Sequence, residues 1–311
     1  MSMKVAKLHD IFAAELIGAD LSAEPDAALV ALIEETMNEY GVLCIRDQGH
    51  LTDAEHLRFA RAFGPLELPP GYESIKDMPR RIASELYDAS NLDVDGEIID
   101  PTSPRAKFSK GNELFHADSS FNDMPSKWSI LRGLTVPPEK GDTQFVDLRH
   151  VYDELPQEMK DRIEGLVAQH SFAASRIKGG VSPEEAERIR TAMPGAMQPM
   201  VRISPNGRKT LFVASHAFRI EGMDDAEGQA LIEELLAFAS QPKYVYAHKW
   251  RTGDMLIWDN RCMLHRGTEY DYARYKRDLR RANVNEFGEE RSAVPLTLIP
   301  PAGSSQAAKA S

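Results

Sequence analysis

The chain has 311 residues, of which 42% are hydrophobic and 27% charged, so it is long enough to bury a sizeable core and has the composition of an ordinary globular protein. Its net charge of -11 and pI of about 5.4 argue against nucleic acid as the main partner, because a phosphate backbone demands a basic surface. No apolar run is long enough to span a bilayer and the first residues carry no apolar signal core, so we expect a cytoplasmic protein whose partner is a small, anionic organic molecule, held by arginines in a local positive pocket.

Along the chain, the spacing of Leu29, Leu32, Ile33 and Met37 predicts an amphipathic helix from Pro25 to Tyr40, ended by Gly41. Val42-Leu43-Cys44-Ile45 then reads as a buried strand. Thr52-Asp53-Ala54-Glu55 resembles a capping box, opening a helix that carries Leu57, Phe59, Ala60 and Phe63 on one face before Gly64-Pro65. The stretch from about 67 to 110 is rich in Pro, Asp and Ser and has no sustained period, which marks a variable loop or lid. Strands follow, with Trp128 to Leu134 the clearest, then helices at Val151 to Val167, Glu184 to Met193 and Asp224 to Ser240. Tyr244 to Trp250, Asp254 to Trp258 and Leu279 to Val284 read as three late strands. With no repeat and no dividing linker, a single domain over 1–301 is expected, mainly β with flanking helices, followed by a disordered tail at 302–311. Cys44 and Cys262 each sit in apolar surroundings and read as buried thiols rather than a disulfide. The oligomeric state is open, a homo-oligomer included.

The chemistry gathers around Phe115-His116-Ala117-Asp118-Ser119-Ser120-Phe121. An imidazole and a carboxylate two residues apart on a strand point to one face and can reach one metal ion. His-x-Asp alone is weak evidence. The second element, Trp258-Asp259-Asn260-Arg261-Cys262-Met263-Leu264-His265-Arg266-Gly267, supplies a third ligand in His265. Two histidines and one carboxylate form the facial set that leaves positions open on Fe(II) for a bidentate 2-oxo acid and O2. His9, His50, His56, His150 and His248 read as structural or solvated, whereas His170 and His216 lie in segments that could line a pocket.

These two elements, with Gly141-Asp142-Thr143 and Arg277-Asp278-Leu279-Arg280-Arg281, resemble the taurine dioxygenase (TauD/TfdA) family of Fe(II)/2-oxoglutarate-dependent dioxygenases, over about Leu8 to Val284. The resemblance implies a jelly roll, a double-stranded β-helix with the iron between its two sheets. It implies His116, Asp118 and His265 as iron ligands and Thr143 with Arg277 on the distal carboxylate of 2-oxoglutarate. Arg281 matches an arginine near the substrate anion or the cosubstrate's other carboxylate. Arg277 and Arg281 are an even number apart, so on one extended strand both would face the same way, although a solvated basic strand face gives the same run. The implied reaction is hydroxylation of a small organic acid, an aryloxyalkanoate-like aromatic acid with ether cleavage. Sulfonates, alkyl sulfates and other small acids share the motifs. A non-catalytic metal-binding jelly roll and a zinc hydrolase are the readings from other classes, the latter without a His-Glu-x-x-His motif.

Overall fold

The computed structural model describes residues 3–69, 72–78 and 80–292. The tail expected at 302–311 lies outside the described residues. Among those described, a nine-stranded major sheet runs in the order Lys4–Lys7, Ala14–Ile17, Val42–Ile45, Met255–Asp259, Trp128–Thr135, Asp278–Val284, Leu66–Leu68 and Arg291–Ser292, with Tyr87–Asp88 also paired to Asp278–Val284. A facing minor sheet is built from Val245–His248, Thr143–Asp147 and Met263–Gly267, and a further three-stranded sheet from Ala217–Ile220, Val167–His170 and Ala196–Pro199.

Side-chain alternation turns these strands into layers. In the major sheet Leu43, Ile45, Ile130, Ile257 and Ala282 pack against Ile33, Met37, Leu57 and Phe59 of helices Ala27–Tyr40 and Asp53–Arg61. Their neighbours Cys44, Leu131, Leu256, Trp258 and Leu279 point the other way, onto Phe145 and Met263 of the minor sheet. Val146 and Leu264 then face outward onto Val151, Ile163, Ile232 and Leu235 of the outer helices. A strand buried on both faces reads as an unbroken apolar run, which is why Val42 to Ile45 shows no alternation in sequence. Two sheets sharing one core, with helices on both outer faces, form a jelly roll.

Local signals explain where the elements end. Asp26 caps the first helix by accepting from the Leu29 amide, and Gly41 closes it at φ 67°, where a Cβ would also collide with Met263. Thr52 and Glu55 form the expected capping box. The single helix expected from Val151 to Val167 is instead two, Leu148–Glu154 and Gln157–Ile163, with Val167–His170 already a strand. Pro156 is the reason: its ring pushes Leu155 to ψ 141°, out of the helical region. The irregular stretch at 67–110 contains short pieces, Tyr72–Ile75, Tyr87–Asp88 and Pro104–Ser109, and Tyr87 is drawn into register with Arg281 on the major sheet. No described helix is long and apolar enough to cross a membrane.

Candidate functional site

His116 and His265 face each other across an isolated antiparallel bridge, each amide donating to the other's carbonyl at 3.0 and 2.8 Å. Their rings lie 4.1 Å apart between centroids. Leu264 points outward, so His265 points inward, against Trp258 and Phe145. The expectation that His116 and Asp118 share a strand is corrected here: His116 is a lone bridge residue and Asp118 begins a turn, in which Ser119 adopts φ 57°. The common face comes from that turn rather than from strand alternation.

Nε2 of His116 lies 3.9 Å from Asp118 Oδ1, and Nε2 of His265 lies 3.7 Å from Oδ2. These separations are too long for hydrogen bonds, yet ligand atoms of the three residues lie within 4.8 Å of one another, as a shared cation would require. All three side chains are buried. Nδ1 of His116 meets the Leu114 carbonyl at 2.8 Å, so the proton sits there and Nε2 keeps its lone pair toward Asp118. Burial pushes both imidazoles toward the neutral form, His265 strongly, and metal ligation needs that form. Burial would raise the Asp118 carboxyl, but Arg281, His265 and His116 together hold it well below the usual carboxylate range.

The carboxylate is held on every side. Arg281 donates to Oδ1 at 2.9 Å and Ser129 to Oδ2 at 2.6 Å. Asn260 accepts from the Asp118 amide at 3.1 Å and from the Trp258 indole at 3.0 Å, and donates to Ser129 Oγ at 2.9 Å. The sheet register explains this convergence, since Ser129 lies opposite Trp258 on one side and Asn283 on the other. Buried Glu67 accepts from Ser119, Ser126 and Tyr87 at 2.6, 2.9 and 2.8 Å, fixing the residue after Asp118 and the ring beneath Arg281. Asn260 belongs to the Trp258 to Gly267 motif. Ser129, Glu67 and Tyr87 carried no local signal, because their roles depend on pairing across the fold.

Thr143 is buried, and its Oγ1 accepts from the Trp250 indole at 3.0 Å. Arg277 precedes the last strand of the pair, its guanidinium 5.7 Å from the Tyr270 ring, and a register shift between Asp278 and Leu279 interrupts the simple alternation toward Arg281. Gly141 packs on the same Tyr270, so this tyrosine lies between the Thr143 turn and Arg277. Among the described residues no carboxylate pairs with Arg277, and burial lowers the affinity of its guanidinium for the proton. His216 lies edge-on to His116 at 5.8 Å, and its Nδ1 shares Ser120 Oγ with Nδ1 of His170, at 3.0 and 3.1 Å. Nε2 of each is buried without a partner.

Cys44, His248 and Asp254 form a second group with metal-ligand spacing. Here the imidazole and the carboxylate are already engaged: His248 donates to Asp254 at 2.9 Å and accepts from Tyr246 at 3.1 Å, while Arg46 neutralises Asp254. Burial pushes the Cys44 thiol up, away from the thiolate that a metal needs. The group is structural.

The family described as "Taurine catabolism dioxygenase TauD, TfdA family" matches residues 4–283. The alpha-ketoglutarate-dependent 2,4-dichlorophenoxyacetate dioxygenase of Cupriavidus pinatubonensis is 40% identical over 91% of this chain and 98% of its own length. The (S)-phenoxypropionate/alpha-ketoglutarate-dioxygenase of Sphingobium herbicidovorans is 34% identical over 86% of this chain and 90% of its own. Among solved structures, AAD-2 in complex with Mn(II) and N-oxalylglycine superposes with a TM-score of 0.82 at 37% identity, covering 91% of this chain and 97% of that one. The chain belongs to the TauD, TfdA family and is a dioxygenase.

Proposed function

We propose that this protein is an Fe(II)- and 2-oxoglutarate-dependent dioxygenase that hydroxylates a small aromatic carboxylic acid of the aryloxyalkanoate class, cleaving its ether bond. The observation that carries this is the buried His116, Asp118 and His265 set, whose ligand atoms share one space without hydrogen-bonding one another. Relatives that act on 2,4-dichlorophenoxyacetate and (S)-phenoxypropionate support the substrate class.

The residues present fit a ferrous ion, with two neutral imidazoles and one carboxylate kept ionised by Arg281. When bound, iron with 2-oxoglutarate supplies the oxidation, O2 being divided between succinate and a new substrate hydroxyl as CO2 is released. In our reading Thr143 and Arg277 take the distal carboxylate of 2-oxoglutarate, since Arg277 is a half-buried guanidinium that pairs with no carboxylate among the described residues. Arg281 holds Asp118 and flanks the cosubstrate's other carboxylate. Hydroxylation of a carbon beside an ether oxygen gives a hemiacetal, which collapses to a phenol and an aldehyde acid. The buried free thiols Cys44 and Cys262 support a cytoplasmic location.

The test is succinate release from the iron-loaded enzyme with 2-oxoglutarate, O2 and a panel of aryloxyacetates, sulfonates and alkyl sulfates. Succinate and phenol formed with the aryloxyacetates support the reading. Succinate formed only with sulfonates or sulfates overturns the substrate class, and none with iron demonstrably bound overturns the activity.

A further inference from the structure

Arg281 and Arg176 are electrostatically tied to the metal site, and with Arg277 they differ in what balances them. Arg281 is matched by Asp118. Arg277 has no described carboxylate and is placed above on the cosubstrate. Arg176, in helix Phe172–Lys178, is the third: it is 3% exposed, and no carboxylate pairs with it among the described residues. The charges that reach it are those of Asp118 and Arg281, and burial pushes it down to about 10. Burying a guanidinium without an anion is costly, and such a group persists where a ligand supplies the counter-charge.

The surroundings of Arg176 are built rather than incidental. Its guanidinium lies over the rings of Phe172 and Phe108, at 4.6 and 4.9 Å, and those two rings meet edge-on at 5.7 Å. Two donors are fixed on the Phe108 carbonyl and Asn112 Oδ1, at 2.6 and 3.0 Å, while the buried Nε has no partner. Gly111 makes the room, since a Cβ there would stand 2.6 Å from the guanidinium carbon. The route back to the metal is aromatic: Phe172 lies 4.8 Å from Phe121 and 6.3 Å from His216, whose ring is 5.8 Å from that of His116. An apolar wall with one cation at its end suits a flat ring carrying a carboxylate.

We propose that Arg176 is the residue that recognises the substrate's anionic group, and that the Phe121 and Phe172 rings bind the aromatic part of the same molecule. Arg277 and Arg176 thus correspond to the two anions of a ternary complex, the distal carboxylate of 2-oxoglutarate at Arg277 and the substrate carboxylate at Arg176. This assignment rests on the proposed dioxygenase reading for the identity of the ligand, and its test is independent of turnover.

The experiment is anaerobic calorimetric titration of the Mn(II) and 2-oxoglutarate-loaded protein with phenoxyacetate and with its neutral isostere phenoxyacetamide. The wild type is expected to bind the acid at least tenfold more tightly than the amide. Arg176→Gln should bring that ratio near one while leaving the affinity for 2-oxoglutarate unchanged, and Arg176→Lys should restore part of it. Gly111→Ala keeps the charge but displaces the guanidinium, so it should also lower the ratio, and it guards against a fold defect specific to replacing Arg176. An undiminished ratio in Arg176→Gln, a wild type that does not distinguish acid from amide, or a loss of 2-oxoglutarate affinity in its place would each overturn the proposal. Discrimination by Arg176 without succinate formation would refute the dioxygenase reading alone, whereas turnover with unchanged discrimination would refute Arg176 alone.

Discussion

Arg281 donates to Asp118 Oδ1 at 2.9 Å, placing a guanidinium from the last long strand of the major sheet directly on the carboxylate of the metal triad. Arg281→Gln should therefore weaken metal binding by roughly ten- to hundredfold, the range typical of residues that orient a ligand. Without the guanidinium, burial would push the Asp118 carboxyl up against less opposition, so protons would compete more with the metal. Mn(II) titrations at several pH values should show the deficit of the variant growing as pH falls.

Asn260 braces the same carboxylate from behind. Its amide is fully buried and joins the Asp118 amide, the Trp258 indole and Ser129 Oγ. Asn260→Ala should lower stability by about 2–4 kcal/mol, since several buried polar groups lose a partner, and should reduce metal affinity in parallel. Thermal unfolding with and without Mn(II) reads both effects.

Arg277→Ala should raise the apparent KM for 2-oxoglutarate by roughly ten- to hundredfold, from the loss of a charge-assisted contact of about 1.5–3 kcal/mol. The KM for the organic acid should move little. Steady-state kinetics with each reactant varied in turn separates the two, and an unchanged KM for 2-oxoglutarate removes Arg277 from its assigned place.

Metal stoichiometry distinguishes the two clusters. One Mn(II) per chain is expected. His248→Ala should leave that number unchanged, because His248, Asp254 and Arg46 already satisfy one another. His265→Ala should abolish binding. A second equivalent lost on replacing His248 would contradict the structural role given to it.

His56 predicts an acid limb to stability. It is fully buried, its Nε2 donates to the Ile130 carbonyl at 3.1 Å, and burial, aided by nearby Arg132, lowers its pKa to about 3. The unfolded chain takes up a proton near pH 6.5 while the native chain does not, so native stability falls as pH drops from about 6.5 toward 3. His56→Gln retains a donor for Ile130 and cannot take up that proton. Its denaturant midpoint should decline less steeply over this window than that of the wild type.

How much of this was legible in sequence depended on how local each signal is. The first helix and its glycine stop, the capping box at Thr52 and the strand Val42–Ile45 follow from neighbours along the chain, and they stand where expected. The break at Pro156 is equally local, but the apolar spacing on either side reads straight across it. The triad was visible as two motifs because each is compact, although the turn at Ser119, not a strand, is what aligns His116 with Asp118. Ser129 and Glu67 were not readable as site residues. Ser129 matters through its register opposite Trp258 and Asn283, and Glu67 through hydroxyls brought to it by other segments.

About half of the chain separates His116 from His265, and the two are tied by a reciprocal pair of backbone hydrogen bonds. An ion shared by both imidazoles is then a clasp on a very long loop, one that can close only when the segment before Asp118 and the minor sheet are both in place. Metal occupancy should report on tertiary assembly: chelation should leave individual helices intact while lowering the cooperativity with which the two sheets stay docked. The same clasp makes iron supply a determinant of how long the enzyme survives, and not only of whether it turns over.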